Sequence, residues 1–211
     1  MFKWAPKPPE PVQAPVSTPD REVVTTVSKV FPKFLAAVSH QERPVLLDLG
    51  PVVGSNVEFF SERLACKLYI EDLYLDIETA ARRGVRVGLE AALMSRLALG
   101  GQSVDGILCW DIFDFLDRPA GLALAAHLAT LLRPRGALYG LFGTTPIELK
   151  HYTRYVVDRE DRFQPRTSPA TSVKRAVLLT RDINKMFAPL AVTDSVLLKT
   201  STRETMFRRS A

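Results

Sequence analysis

Apolar positions between residues 20 and 35 recur at helical spacing: Val23, Val24, Val27, Val30, Phe31, Phe34 and Leu35. This predicts one or two helices, with Asp20 as N-cap and a kink at Pro32. The period then changes. Val45, Leu46, Leu47, Asp48, Leu49 and Gly50 form a short apolar run closed by glycine, which predicts a buried parallel strand followed by a tight loop. After Gly54, Ser55 stands as a cap before Val57, Phe59, Phe60 and Leu64, a short amphipathic helix. Leu68, Tyr69 and Ile70 make a second strand, stopped by Glu71 and Asp72. Residues 73–99 read as mostly helical through Leu89, Ala92, Leu93 and Leu97, interrupted at Gly84 and Gly88, with 85–89 as a candidate third strand.

Val104, Gly106, Ile107, Leu108 and Cys109 form the next buried strand, and Leu122, Ala125, Leu128, Ala129 and Leu132 the stripe of a helix that ends at Arg133, Pro134 and Gly136. Another strand covers 137–142. The chain then turns polar and basic, with a candidate strand at 155–157, a helix near 181–190, and strands at 192–199 and 204–208. Strands alternating with helices predict an α/β fold: a doubly wound, mostly parallel sheet in a three-layer α/β/α sandwich with a C-terminal antiparallel hairpin. In such sheets ligands bind at the carboxyl ends of the strands, beside the topological switch point.

Composition adds boundaries. Six of the first twenty residues are proline, so 1–19 are expected to be a disordered tail and 20–211 a single domain, with 144–180 as a variable insertion. At 46% hydrophobic and 24% charged, the 211-residue chain has the balance of a globular protein. The longest central stretch without Asp, Glu, Lys or Arg, 119–132, is shorter than the roughly 18 residues a membrane span needs, so no membrane association is expected. Lys3, Trp4 and the prolines stand where an export signal would be continuously apolar, which points to a cytoplasmic protein. Cys66, Cys109, His40, His127 and His151 are not at metal-ligand spacing, so no metal is expected. Residues 144–211 carry 13 Lys/Arg against 7 Asp/Glu, and residues 1–143 carry 15 against 16. The basic residues are scattered among acids such as Glu160 and Asp161 rather than drawn into a stripe, which argues against nucleic acid as a partner.

The chemistry to look for lies at strand ends. Asp48-Leu49-Gly50-Pro51-Val52-Val53-Gly54 closes the first strand, and Glu71 closes the second, 23 residues after Asp48. A glycine loop between strand and helix admits close approach of a ligand to backbone, and a carboxylate at the neighbouring strand end can accept both hydrogen bonds of a ribose diol. No Gly-Lys-Ser/Thr follows the loop and no GxGxxG is present, so neither triphosphate nor dinucleotide binding is indicated.

These residues resemble the first motif of class I S-adenosylmethionine-dependent methyltransferases, an acidic residue followed by glycines at alternate positions: Asp48, Gly50 and Gly54 match, and Val52 stands in place of the middle glycine. Glu71, with Asp72 beside it, falls at the family's ribose-binding acid. Residues 104–114, with Trp110 and Asp111 in the turn, look like its fourth strand and the place where substrate and methyl group meet. Residues 131–138 resemble its helix-to-strand corner, and the last two strands its closing hairpin. The resemblance, over roughly 40–211, implies a Rossmann-like methyltransferase fold and S-adenosyl-L-methionine as cofactor. It implies Asp48, Gly50, Pro51, Gly54, Glu71, Asp72, Trp110 and Asp111 as cofactor contacts, and transfer of a methyl group to an unidentified small-molecule or protein acceptor. Asp111, Asp114 and His151 are candidate bases, and Tyr152 and Tyr155 could join His151 in lining a pocket of the variable region. No residue matches the adenine-contacting acid of the third strand, since Glu90 reads as an exposed helical glutamate. With Val52, this keeps open a second reading, a degenerate methyltransferase fold that acts as a binding or scaffold protein.

Overall fold

A computed structural model describes residues 25–211 of the protein. The tail expected over 1–19 and the cap expected at Asp20 lie outside them. Two corrections appear at once. Thr26–Val27 is a short strand, β1, and helix α1 spans Phe31–Val38, with Pro32 in its first turn rather than at a kink. That position suits proline, because a first-turn N–H has no intrahelical partner to lose. Ser28 makes the turn between them, its hydroxyl accepting from the N–H groups of Val30 at 3.2 Å and Phe31 at 2.8 Å.

The main sheet is built from β2 (Val45–Asp48), β3 (Lys67–Ile70), β4 (Val104–Trp110), β5 (Leu132–Gly143), β8 (Ala191–Leu197) and β9 (Thr202–Arg208). Its order is β3-β2-β4-β5-β9-β8, parallel from β3 to β5, with β9 and β8 antiparallel at the far side. The mostly parallel, doubly wound sheet and the closing hairpin are those the sequence predicts. Successive strand residues face opposite ways. Leu46, Leu108 and Tyr139 pack on α1 and on α2 (Gly54–Leu64); Leu47, Ile107 and Leu138 pack on α3 (Tyr74–Arg83), α4 (Leu89–Arg96) and α5 (Arg118–Leu131). Gly106 permits the first contact: a Cβ there would stand 2.7 Å from Val38 Cγ2 and 2.8 Å from Leu46 Cδ1.

Ser55 lies inside α2, whose N-cap is Val53 with no side-chain bond, a correction to its expected capping role. The third strand expected at 85–89 is absent among the described residues. Gly84 and Gly88 both hold left-handed backbone, at φ +62° and +88°, and turn the chain, and Val85 and Val87 are 53% and 93% exposed with no apolar face to build on. The short strand expected at 155–157 is instead part of β6 (Glu148–Arg159), which pairs antiparallel with β7 (Arg162–Lys174) and, through it, with β1. Bulges between Leu149 and His151 and between Val157 and Arg159 break the polar–apolar alternation that would have announced so long a hairpin. Helix α6 (Thr180–Met186) completes the order, and no described helix is long and apolar enough to cross a membrane.

Candidate functional site

The chain runs from β2 outward to β3 and then back across to β4, so the switch point lies between β2 and β4. Asp48 ends β2 and Trp110 ends β4. Trp110 holds left-handed backbone, φ +48°, which a bulky side chain adopts only where its surroundings enforce it. The turn sends the indole back over the glycine loop. Its Nε1–H donates to Asp48 Oδ1 at 2.7 Å, and its Cδ1 lies 2.8 Å from where a Cβ on Gly50 would stand. Tyr155 of β6 stacks on the indole at 5.1 Å between centroids and 11° between planes, while Phe163 and Tyr139 meet it edge-on. The switch point is therefore bridged and roofed by aromatic side chains of the chain itself.

Asp48 is 3% exposed and takes a second hydrogen bond from Gly50 N–H at 2.9 Å. Burial pushes its pKa up to about 6 against the pull of those two donors, with the nearby Asp72 charge adding to the rise. Asp111 is buried too, and burial raises its pKa; the hydroxyl of Tyr74 donates to one of its oxygens at 2.5 Å and that of Tyr155 to the other at 3.0 Å. Asp114 accepts from Gly143 N–H at 3.0 Å and lies 2.9 Å from Arg175 Nε, an ion pair whose N–H is not aligned as a hydrogen bond. Burial and the Asp111 charge carry the Asp114 pKa up to about 7. Each of these carboxylates is engaged by its own neighbours.

Beside this closed centre a cleft of about 260 Å³ runs between Pro51, the Asp72–Tyr74–Glu78 side of α3 and the hairpin residues Tyr152, Arg154 and Ser168. Asp72 accepts from Tyr74 N–H at 3.1 Å; burial raises its pKa, opposed by that bond and by Arg96. Partial burial works against ionisation of Glu78. Bonds from Thr171 N–H, Thr171 Oγ1, the Tyr152 hydroxyl and Arg82 outweigh it and bring the pKa down to about 2.

Of the residues picked from sequence, Asp48, Gly50, Trp110 and Asp111 meet at the switch point, and Pro51 and Asp72 line the cleft. Glu71 is half-buried next to Asp72, its N–H donating to Asp48 O at 2.8 Å. Gly54 is exposed with nothing within 4 Å of the point a Cβ would occupy, Val52 is 64% exposed, His151 is exposed on β6, and Glu90 is exposed on α4. Sequence reasoning passed over Tyr74, Glu78 and Arg154. Tyr74 and Glu78 carried a readable signal, since four-residue spacing just after the Asp72 turn sets both on one face of a helix.

No family model matches the chain, and no curated protein matches it in sequence. Solved structures do match in fold. An S-adenosylmethionine-dependent methyltransferase from Clostridium acetobutylicum aligns with a TM-score of 0.50 at 12% identity, covering 87% of this chain and 92% of that one. The CcbJ methyltransferase from Streptomyces caelestis aligns with a TM-score of 0.50 at 15% identity, covering 85% and 88%. This chain shares their fold.

Proposed function

We propose that the protein is an S-adenosylmethionine-dependent methyltransferase that transfers a methyl group to an unidentified acceptor. The observation that carries this reading is the setting of the Asp48–Gly50 turn and the Glu71–Asp72 strand end, side by side at the carboxyl edge of β2 and β3 and next to the switch point. The residues fit the cofactor unequally. Glu71 and Asp72 follow the end of β3, where on this reading a ribose diol would donate to them, and Asp72 lines the cleft. The face of Gly50 is filled by the Trp110 indole, and 260 Å³ is below the roughly 300–1,000 Å³ usual for small-molecule pockets. Binding of the whole cofactor thus requires Trp110 to leave Asp48 and the Tyr155 roof to lift.

The bound cofactor would supply an activated methyl group, leaving the protein to align an acceptor in line with it. Asp111, in the turn after β4, is the candidate base of this reading, and it serves as one only once the Tyr74 and Tyr155 hydroxyls release it. Trp110 also favours a second reading, that the crevice is permanently closed and the protein is a binding or scaffold module on a methyltransferase fold.

Equilibrium binding of labelled S-adenosylmethionine to the wild type and to Glu71→Ala tests the first reading. Hydrogen bonds to a charged acceptor contribute roughly 1.5–3 kcal/mol, so Glu71→Ala should weaken binding about tenfold or more. Equal affinity in the two proteins, with a large loss in Asp72→Ala, moves the ribose contact one residue along; no retention by the wild type gives the second reading.

A further inference from the structure

The hairpin sets Tyr152 opposite Ser168, Arg154 opposite Arg166 and Val156 opposite Gln164, with no bulge among them. Residues directly opposed across antiparallel strands project from the same face, and like charges so placed destabilise the pair. Alternation puts Arg154 on the side of Tyr152, whose hydroxyl reaches Glu78 at 2.8 Å, and Arg154 lines the cleft. Both guanidinium groups stand without a hydrogen bond or ion pair to any described residue. Of the two acids that line the cleft, Glu78 is already engaged by Arg82, Tyr152 and Thr171, and neither it nor Asp72 bonds either guanidinium. An unpaired arginine lining a cleft, with a second directly opposite it across the strand pair, is an unfavourable arrangement that an anion would reverse, because guanidinium forks bind carboxylate and phosphate oxygens bidentately.

We propose that Arg154 and Arg166 form a clamp for an anionic group, carboxylate or phosphate, on the molecule that enters the cleft. The clamp stands on the hairpin register and the cleft, not on the cofactor reading, so it is tested without cofactor. Thermal unfolding of the full chain is followed at constant chloride with added inorganic phosphate, for the wild type, Arg154→Gln, Arg166→Gln and the exposed control Arg83→Gln. The wild type and the control should gain about 3 °C in midpoint at ten times the dissociation constant, and the two clamp variants should lose that gain. Without phosphate the clamp variants should unfold no lower than the wild type, since removing one charge relieves the other. No gain in the wild type, the same gain in the clamp variants, or loss of the gain in Arg83→Gln overturns the clamp. So does a fall of several degrees in the phosphate-free clamp variants, which would mean that the arginines have a structural role. S-adenosylmethionine titration of the clamp variants then distinguishes the source of the anion. Unchanged affinity assigns it to the acceptor, and a loss matching that for phosphate assigns it to the cofactor's own carboxylate.

Discussion

Gly50 and Trp110 specify each other. The glycine leaves room for an indole where any Cβ would collide with it, and the indole in turn covers the glycine. Trp110→Ala should lower stability by roughly 3–5 kcal/mol, the range for truncating a buried aromatic, and a urea melt measures it. If the cofactor competes with the indole, the same variant should bind S-adenosylmethionine more tightly than the wild type despite being less stable. The acid beneath the indole adds a pH signature. Because the folded-state pKa of Asp48, about 6, lies above its unfolded value of 3.8, the folded protein holds that proton more firmly. This contribution is fully present below pH 3.8 and is lost as pH rises through 6, at a cost of about 3 kcal/mol. Asp114, at about 7, acts in the same direction. Asp48→Asn keeps the acceptor for Trp110 and Gly50 but cannot ionise, so its stability should fall less than that of the wild type between pH 4.5 and 7.5 in denaturant titrations. Asp48 and Gly50 were legible in the sequence because loop chemistry names them. The covering role of Trp110 was not, since it depends on a left-handed φ at one residue and on Tyr155, 45 residues further along the chain.

At the scale of elements, the last strand anchors the turn that leads into α1. Glu204 on β9 is fully buried and accepts from the Ser28 hydroxyl, the N–H groups of Lys29 and Val30, and the Tyr139 hydroxyl. Glu204→Ala would leave several of these donors buried and unpaired, at about 1–3 kcal/mol each, and should lower the thermal midpoint by ten degrees or so; Glu204→Gln, which retains an acceptor, should lose much less. Calorimetric scans of the two variants check this. The parallel strands were readable as continuous apolar runs, for example β4, buried at all seven positions. The β6–β7 hairpin was not, because it packs only part of each strand and two bulges shift its parity. The absent third strand is the same lesson inverted: Val85 and Val87 look like strand residues, but the glycines on both sides turn them out to solvent.

For the whole molecule, the doubly wound, mostly parallel sheet and its closing hairpin followed from the alternation of strands and helices. What occupies the crevice did not follow, since Val52, the residue that departs from the family pattern, points to solvent, and Trp110 fills the space instead. On the methyltransferase reading proposed above, the indole bridging β2 and β4 fills the face of Gly50 and must move when the cofactor binds. Intrinsic fluorescence of a Trp4→Phe protein, in which Trp110 is the remaining tryptophan, measures that directly during titration with S-adenosylmethionine. The expected result is a saturable change in emission as the indole leaves Asp48 and the Tyr155 stack, with its midpoint about tenfold or more higher in Glu71→Ala. Emission that stays constant up to millimolar cofactor would contradict the claim.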